Sequence, residues 1–201
     1  MFNSDQISVL KNGLSFQHNA EFLKGFERAV ECDGPFFDIG CWTGTLSFLA
    51  ALYLKHKHIK KHIYMFDTFD GHPADKRTEL DERWPCKIED FKNTSIQNIH
   101  DIFKQINFSD YSIIEGDIEK TLNDINLSPS FASLDLNYYK STKIALKYLH
   151  KNHHDYTILW EDDINHIHGV TEAYSELLTS LIAIDFGQTR GGFFKFTNYE
   201  K

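Results

Sequence analysis

The chain has 201 residues, of which 41% are hydrophobic and 25% charged, and a formal net charge of -8. That length holds one domain, residues 1–201, around one core, and the acidic balance disfavours a nucleic-acid partner gripped through its phosphates. No run of about 18 apolar residues occurs, which argues against a membrane span.

Residues 1–33 read as an N-terminal helical cap, and the first ten lack the basic-then-apolar layout of a signal peptide. Residues 36–39 (FFDI) form a short apolar run ending at Gly40, the pattern of a buried strand. Residues 46–53 carry dense apolar residues in a helical context, and the basic cluster after them, residues 55–62, reads as a solvated helix end. A second strand, residues 62–66, closes at Asp67. The polar stretch that follows, residues 71–93, has little periodicity and reads as a lid-like insertion. Residues 94–106 have Ile96, Ile99, Ile102, Phe103 and Ile106 at helical spacing. Strands are expected at residues 111–115, 131–136 and 156–160, with helices at 141–150 and 169–181. Two last apolar runs, residues 182–186 and 193–196, flank a glycine-containing link.

Alternation of five strands with helices predicts an α/β fold with a doubly wound parallel sheet. The link between the last two strands is too short for a parallel crossover, so they must form an antiparallel hairpin. The expected fold is therefore a mostly parallel seven-stranded sheet. Cys32, Cys41 and Cys86 are odd in number and fit no metal or redox spacing, which points to reduced thiols and a cytoplasmic location.

In such sheets ligands lie beyond the carboxyl ends of the strands. The first strand delivers Asp38, Gly40, Cys41, Trp42 and Gly44 to that edge. The two glycines let backbone approach a ligand, and the helix opening at Thr45 points its amides there. The spacing is neither GxGxxG nor a P-loop, so a phosphate cradle is poorly supported. Asp67, at the second strand end, suits ribose hydroxyls. Asp117, at the third, lies where an adenine amino group would sit. Each acid alone reads as well as a turn or helix-cap residue; three at consecutive strand ends point to a nucleoside.

At the fourth and fifth strand ends stand Asp135 and the pair Asp162–Asp163. Adjacent strands lie about 5 Å apart, so these carboxylates can converge. Hard oxygen donors favour Mg²⁺, with Mn²⁺ or Ca²⁺ as alternatives. A bound cation would lower the pKa of a substrate hydroxyl, and a carboxylate or a nearby histidine, His166 or His168, would take its proton. The simpler alternative is that Asp162–Asp163 only caps the next helix. His153 and His154 read as surface residues.

The motifs together resemble the macrocin-type O-methyltransferases, over residues 34–196. Phe37 to Gly44 is similar to that family's acidic, glycine-rich E-C-G-V-W-x-G-G. Phe66-Asp67-Thr68-Phe69-Asp70-Gly71 is similar to its F-D-S-F-E-G, and Leu134 to Thr142 parallels its L-D-G-D-L-Y-E-S-T. Asp162-Asp163-Ile164, with Gly169 seven positions after Asp162, fits its D-D-Y and following glycine. The resemblance implies a fold that binds S-adenosylmethionine (SAM) and transfers its methyl group to a hydroxyl. By it Asp67 and Thr68 would hold the SAM ribose and Asp117 would lie beside the adenine. Asp135, Asp162 and Asp163 would bind Mg²⁺, with Asp135 doubling as the catalytic base. The acceptor would be a sugar or a sugar-containing small molecule, and a homodimer is compatible with the family. The sequence departs from the pattern at Leu136, Asn137 and Ile164. Two alternatives stay open: a metal-independent SAM methyltransferase on another small acceptor, and a non-catalytic binding protein that kept the fold.

Overall fold

A computed structural model describes residues 16–83, 85, 87–177, 179–186 and 191–197. The elements are α1 (Phe16–Ala29), β1 (Phe36–Ile39), α2 (Thr45–Lys57), β2 (Ile63–Asp67), α3 (Ile96–Gln105), β3 (Tyr111–Glu115) and α4 (Ile118–Thr121). They continue with β4 (Phe131–Leu134), α5 (Tyr139–Lys151), β5 (Ile158–Glu161), α6 (His168–Ser175), β6 (Leu181–Phe186) and β7 (Gly192–Phe196). Of the expected N-terminal cap, residues 1–15 lie outside the described residues, as do Cys86 and positions 187–190 of the hairpin link.

The strands form one sheet in the order β3-β2-β1-β4-β5-β7-β6. β1 to β5 pair in parallel, and β7 runs antiparallel to both β5 and β6. The reversed strand is thus inserted between β5 and the edge. Its composition explains the placement: Phe193, Phe194 and Phe196 are buried, whereas Ile182 and Ile184 on edge strand β6 are exposed. The more apolar strand takes the position with a neighbour on each side.

Alternation along β1 separates two cores. Phe36 joins a cluster with Phe22 and Phe26 of α1 and Phe48 of α2, and Phe37 joins another with Ala145 and Leu146 of α5 and Val170 of α6. Because parallel strands are covered on both faces, every residue of β1, Asp38 included, is buried. α1 lies close against the sheet because residue 25 is glycine: a Cβ there would come 1.8 Å from the Phe193 ring.

Four local expectations change. The helix expected over residues 169–181 ends at Ser175, because Leu181 is drawn into the ladder opposite Phe196. The fourth strand stops at Leu134, where Asn137 at φ 62° turns the chain toward α5. The basic cluster at residues 55–62 is only partly solvated. Lys61 is buried, donating to the carbonyls of Cys32 and Gly34 and to Ser130 Oγ, and burial pushes its pKa down to about 8. Lys61 therefore ties the β1 and β4 entries together. Likewise His153 is half-buried, its ring 4.7 Å from Phe196. Among the described residues no helix is long and apolar enough to cross a membrane.

Candidate active site

The strand order reverses between β1 and β4, and a cleft of about 590 Å³, counted to its open mouth, lies beyond their carboxyl ends. Of the catalytic, cofactor and metal residues expected from the sequence, Gly40, Trp42, Asp67, Thr68 and Asp135 line it.

The β1–β2 end is built by backbone. Gly40 and Cys41 both donate to the Phe66 carbonyl, at 2.8 and 3.2 Å, which folds the β1 tip over β2. Trp42 follows with φ 46°, a conformation L-residues seldom adopt. Its amide donates to Asp67 Oδ2 at 2.8 Å while Phe69 N donates to Oδ1 at 2.9 Å, so the carboxylate is pinned at the cleft rim. Burial raises the pKa of Asp67, and these amide bonds oppose the rise. Gly40 is required twice over. Its φ is +85°, and a Cβ would stand 2.1 Å from the carbonyl oxygen of Asp135. The backbone turn of the first motif thus abuts the backbone of the acidic site.

The other expected cofactor residues lie behind this rim rather than in the cleft lining. Asp38 accepts from Ser47 N and Oγ at 3.2 and 2.6 Å and so caps the first turn of α2; burial pushes its pKa up to about 7. Cys41 is buried and its thiol pKa is raised by that burial. Gly44, at φ 73°, is the N-cap of α2, and Thr45 Oγ1 lies 2.9 Å from Thr43 Oγ1. Asp117 caps α4 through Glu119 N at 2.9 Å and pairs with Lys76 Nζ at 3.1 Å.

Side chains build the β4–β5 end. One carboxylate oxygen each from Asp135, Asp162 and Asp163 lies within 4.8 Å of the others. Asp162 and Asp163 are buried and Asp135 half-buried. Asp135 N donates to Ile39 O and Asp162 N to Leu134 O, extending the ladders one step past the strands and fixing the spacing of the acids. Asn137 Nδ2 donates to Asp135 Oδ1 at 3.0 Å, so the residue that departs from the family motif holds the acid as a donor. Beneath lies Glu161, whose pKa is driven well up by burial and by the Asp163 charge. Ile164 packs into the core with Val170. Neither loop histidine is enclosed: His166 and His168 are exposed, and His168 faces Glu172.

Three residues that the sequence analysis missed belong to this region. His18 of α1 is buried, its Nε2 2.5 Å from Asp162 Oδ1. The signal was present: His18, Phe22 and Phe26 recur every four residues on a buried helical stripe, and a polar member of such a stripe needs a partner. His72 lines the cleft from the insertion, 4.5 Å from the Tyr138 ring and 5.3 Å from Phe91, and burial lowers its pKa. Lys76 is buried among Asp75, Asp117 and Glu119. Burial pulls its pKa down, but the three carboxylates outweigh that and raise it. The insertion is fastened at further points. Asp81 accepts from Tyr139 N at the start of α5 and from Thr78, and Thr94 Oγ1 donates to the Trp42 carbonyl.

The family model for macrocin-O-methyltransferase (TylF) matches residues 23–181, from α1 to the first residue of β6. The chain belongs to that family. It is a SAM-dependent O-methyltransferase. No curated protein matches its sequence. Among solved structures, the O-methyltransferase NovP superposes with a TM-score of 0.79 at 16% identity, over 92% of this chain and 81% of that one. The calicheamicin methyltransferase CalS11 gives 0.78 at 14%, over 96% and 91%; it is also described as a TDP-rhamnose 3'-O-methyltransferase. The Podospora anserina methyltransferase PaMTH1, bound to S-adenosylhomocysteine (SAH), gives 0.59 at 14%, over 98% of each chain. At these identities the likeness is one of fold, and the methyltransferase is assigned by its family.

Proposed function

We propose that this methyltransferase acts on a hydroxyl of a sugar or sugar-containing small molecule, with a divalent cation held by Asp135, Asp162 and Asp163. The observation that carries the reading is the convergence of three carboxylates on the β4 and β5 tips, beside the cleft that starts at Gly40 and Asp67. Buried carboxylates so close repel one another in a medium that screens poorly. The donors are hard oxygens from two strands, a set suited to Mg²⁺ or Mn²⁺. The sugar acceptor is carried over from the family and from the description of CalS11.

SAM supplies the methyl group and the cation would lower the pKa of the acceptor hydroxyl. The chain's own residues do the rest. Asp67 and Thr68 offer oxygens to ribose hydroxyls at the rim, and Ile118 gives the cleft an apolar wall for the adenine. Asp135 stands where it can receive the acceptor proton at a carboxylate oxygen, oriented by Asn137. The aromatic run Trp42, Phe91, His72 and Tyr138 closes one side and reduces the water reaching the methyl group.

SAH release would be followed with deoxysugar and nucleotide-sugar acceptors, before and after chelation. Activity should vanish with EDTA and return when Mg²⁺ is added. Turnover unaffected by EDTA would refute the cation, and turnover only with non-sugar hydroxyls would refute the acceptor class.

A further inference from the structure

The acidic site is braced by a residue from far away in the sequence. His18 lies on the buried stripe of α1, with its ring edge-on to Trp160 at 5.3 Å and 66°. It is 3% exposed and Asp162 0%. α1 is held there by packing one and two turns further along the helix. Gly25 admits the Phe193 ring, which lies 4.6 Å from Trp160, and Phe22 packs at 5.7 Å against Phe131 of β4. The backbone of Asp162 is anchored to Leu134 O, so what a partner can still set is the rotation of its side chain.

We propose that His18 is a positioning residue for the cation site. Its Nε2, 2.5 Å from Asp162 Oδ1, fixes the rotamer in which that carboxylate meets those of Asp135 and Asp163. A carboxylate whose orientation is fixed by a neighbour binds a cation without first losing that freedom, and such outer partners typically contribute 10–100-fold in affinity, in order of magnitude. The role also gives α1 a task at the active site, through a residue that lies before those matched by the family model. This inference rests on the cation reading above.

The test uses the full chain and two variants. His18→Phe keeps the ring against Trp160 but loses the N–H, and His18→Gln restores an amide N–H at a similar reach. Mn²⁺ affinity is read by electron paramagnetic resonance of the free ion, and SAH affinity by calorimetry in EDTA. His18→Phe should weaken Mn²⁺ binding by about 10–100-fold, with His18→Gln within about threefold of the parent and SAH binding unchanged in both. Parent-like Mn²⁺ affinity in His18→Phe overturns the inference while leaving the cation reading intact. His18→Gln as weak as His18→Phe also overturns it, even if His18→Phe proves poorly folded. A parent chain that binds no Mn²⁺ removes both.

Discussion

The two ends of the cleft are built by different means. At the β1–β2 tips, amides and carbonyls form the surface: Gly40, Cys41 and Trp42 are set by bonds to Phe66 O and Asp67, and the chain adopts left-handed turns to make them. At the β4–β5 tips, side chains form it, and two of the three acids meet another side chain, Asp135 that of Asn137 and Asp162 that of His18. A backbone-built end tolerates changes of side chain but not of conformation. A side-chain-built end keeps its shape under substitution and loses its chemistry. The two should therefore fail separately, except where they touch.

The largest effect is expected at the acidic end. Asp135→Asn should lower methyl transfer by about 10³-fold while SAH affinity stays within about threefold, read by SAH release and calorimetry. Loss of SAH binding in that variant would show that the ends are not independent. Gly40→Ala strikes their point of contact. The new methyl group would stand 2.1 Å from Asp135 O in a left-handed turn, and the fold should lose about 2–4 kcal/mol with both SAH and Mn²⁺ binding impaired. A parent-like denaturation midpoint would mean that the strand tips part more easily than the packing suggests.

The smallest effect concerns Asp38. Its carboxyl is raised from 3.8 to about 7 by burial, so the folded chain holds the proton longer than the unfolded one. That contribution to stability is complete below pH 3.8 and is lost as pH rises through 7. Asp38→Asn, which keeps an oxygen acceptor for Ser47, should melt like the parent at pH 4 and higher at pH 8, by on the order of 5 °C. Equal melting temperatures at both pH values would mean that Asp38 is solvated as an ion.

The acids at the strand ends were legible in the sequence because parallel strands place their carboxyl termini at one edge whatever the packing. Asp67, Asp135, Asp162 and Asp163 could be named from that alone, as could the antiparallel hairpin from the length of its link. Asp38 and Asp117 instead cap α2 and α4, since a short acid beside a helix start bonds the nearest amides first.

By itself, then, the sequence determined the alternation of strands and helices, the acidic edge and the family, because each depends on local pattern. Tertiary structure alone decided that β7 enters between β5 and β6, that Lys76 and Lys61 are buried, and that His18 meets Asp162 across more than 140 positions of chain. Such contacts depend on which surfaces α1 and the insertion cover, and covering is a property of the packed whole.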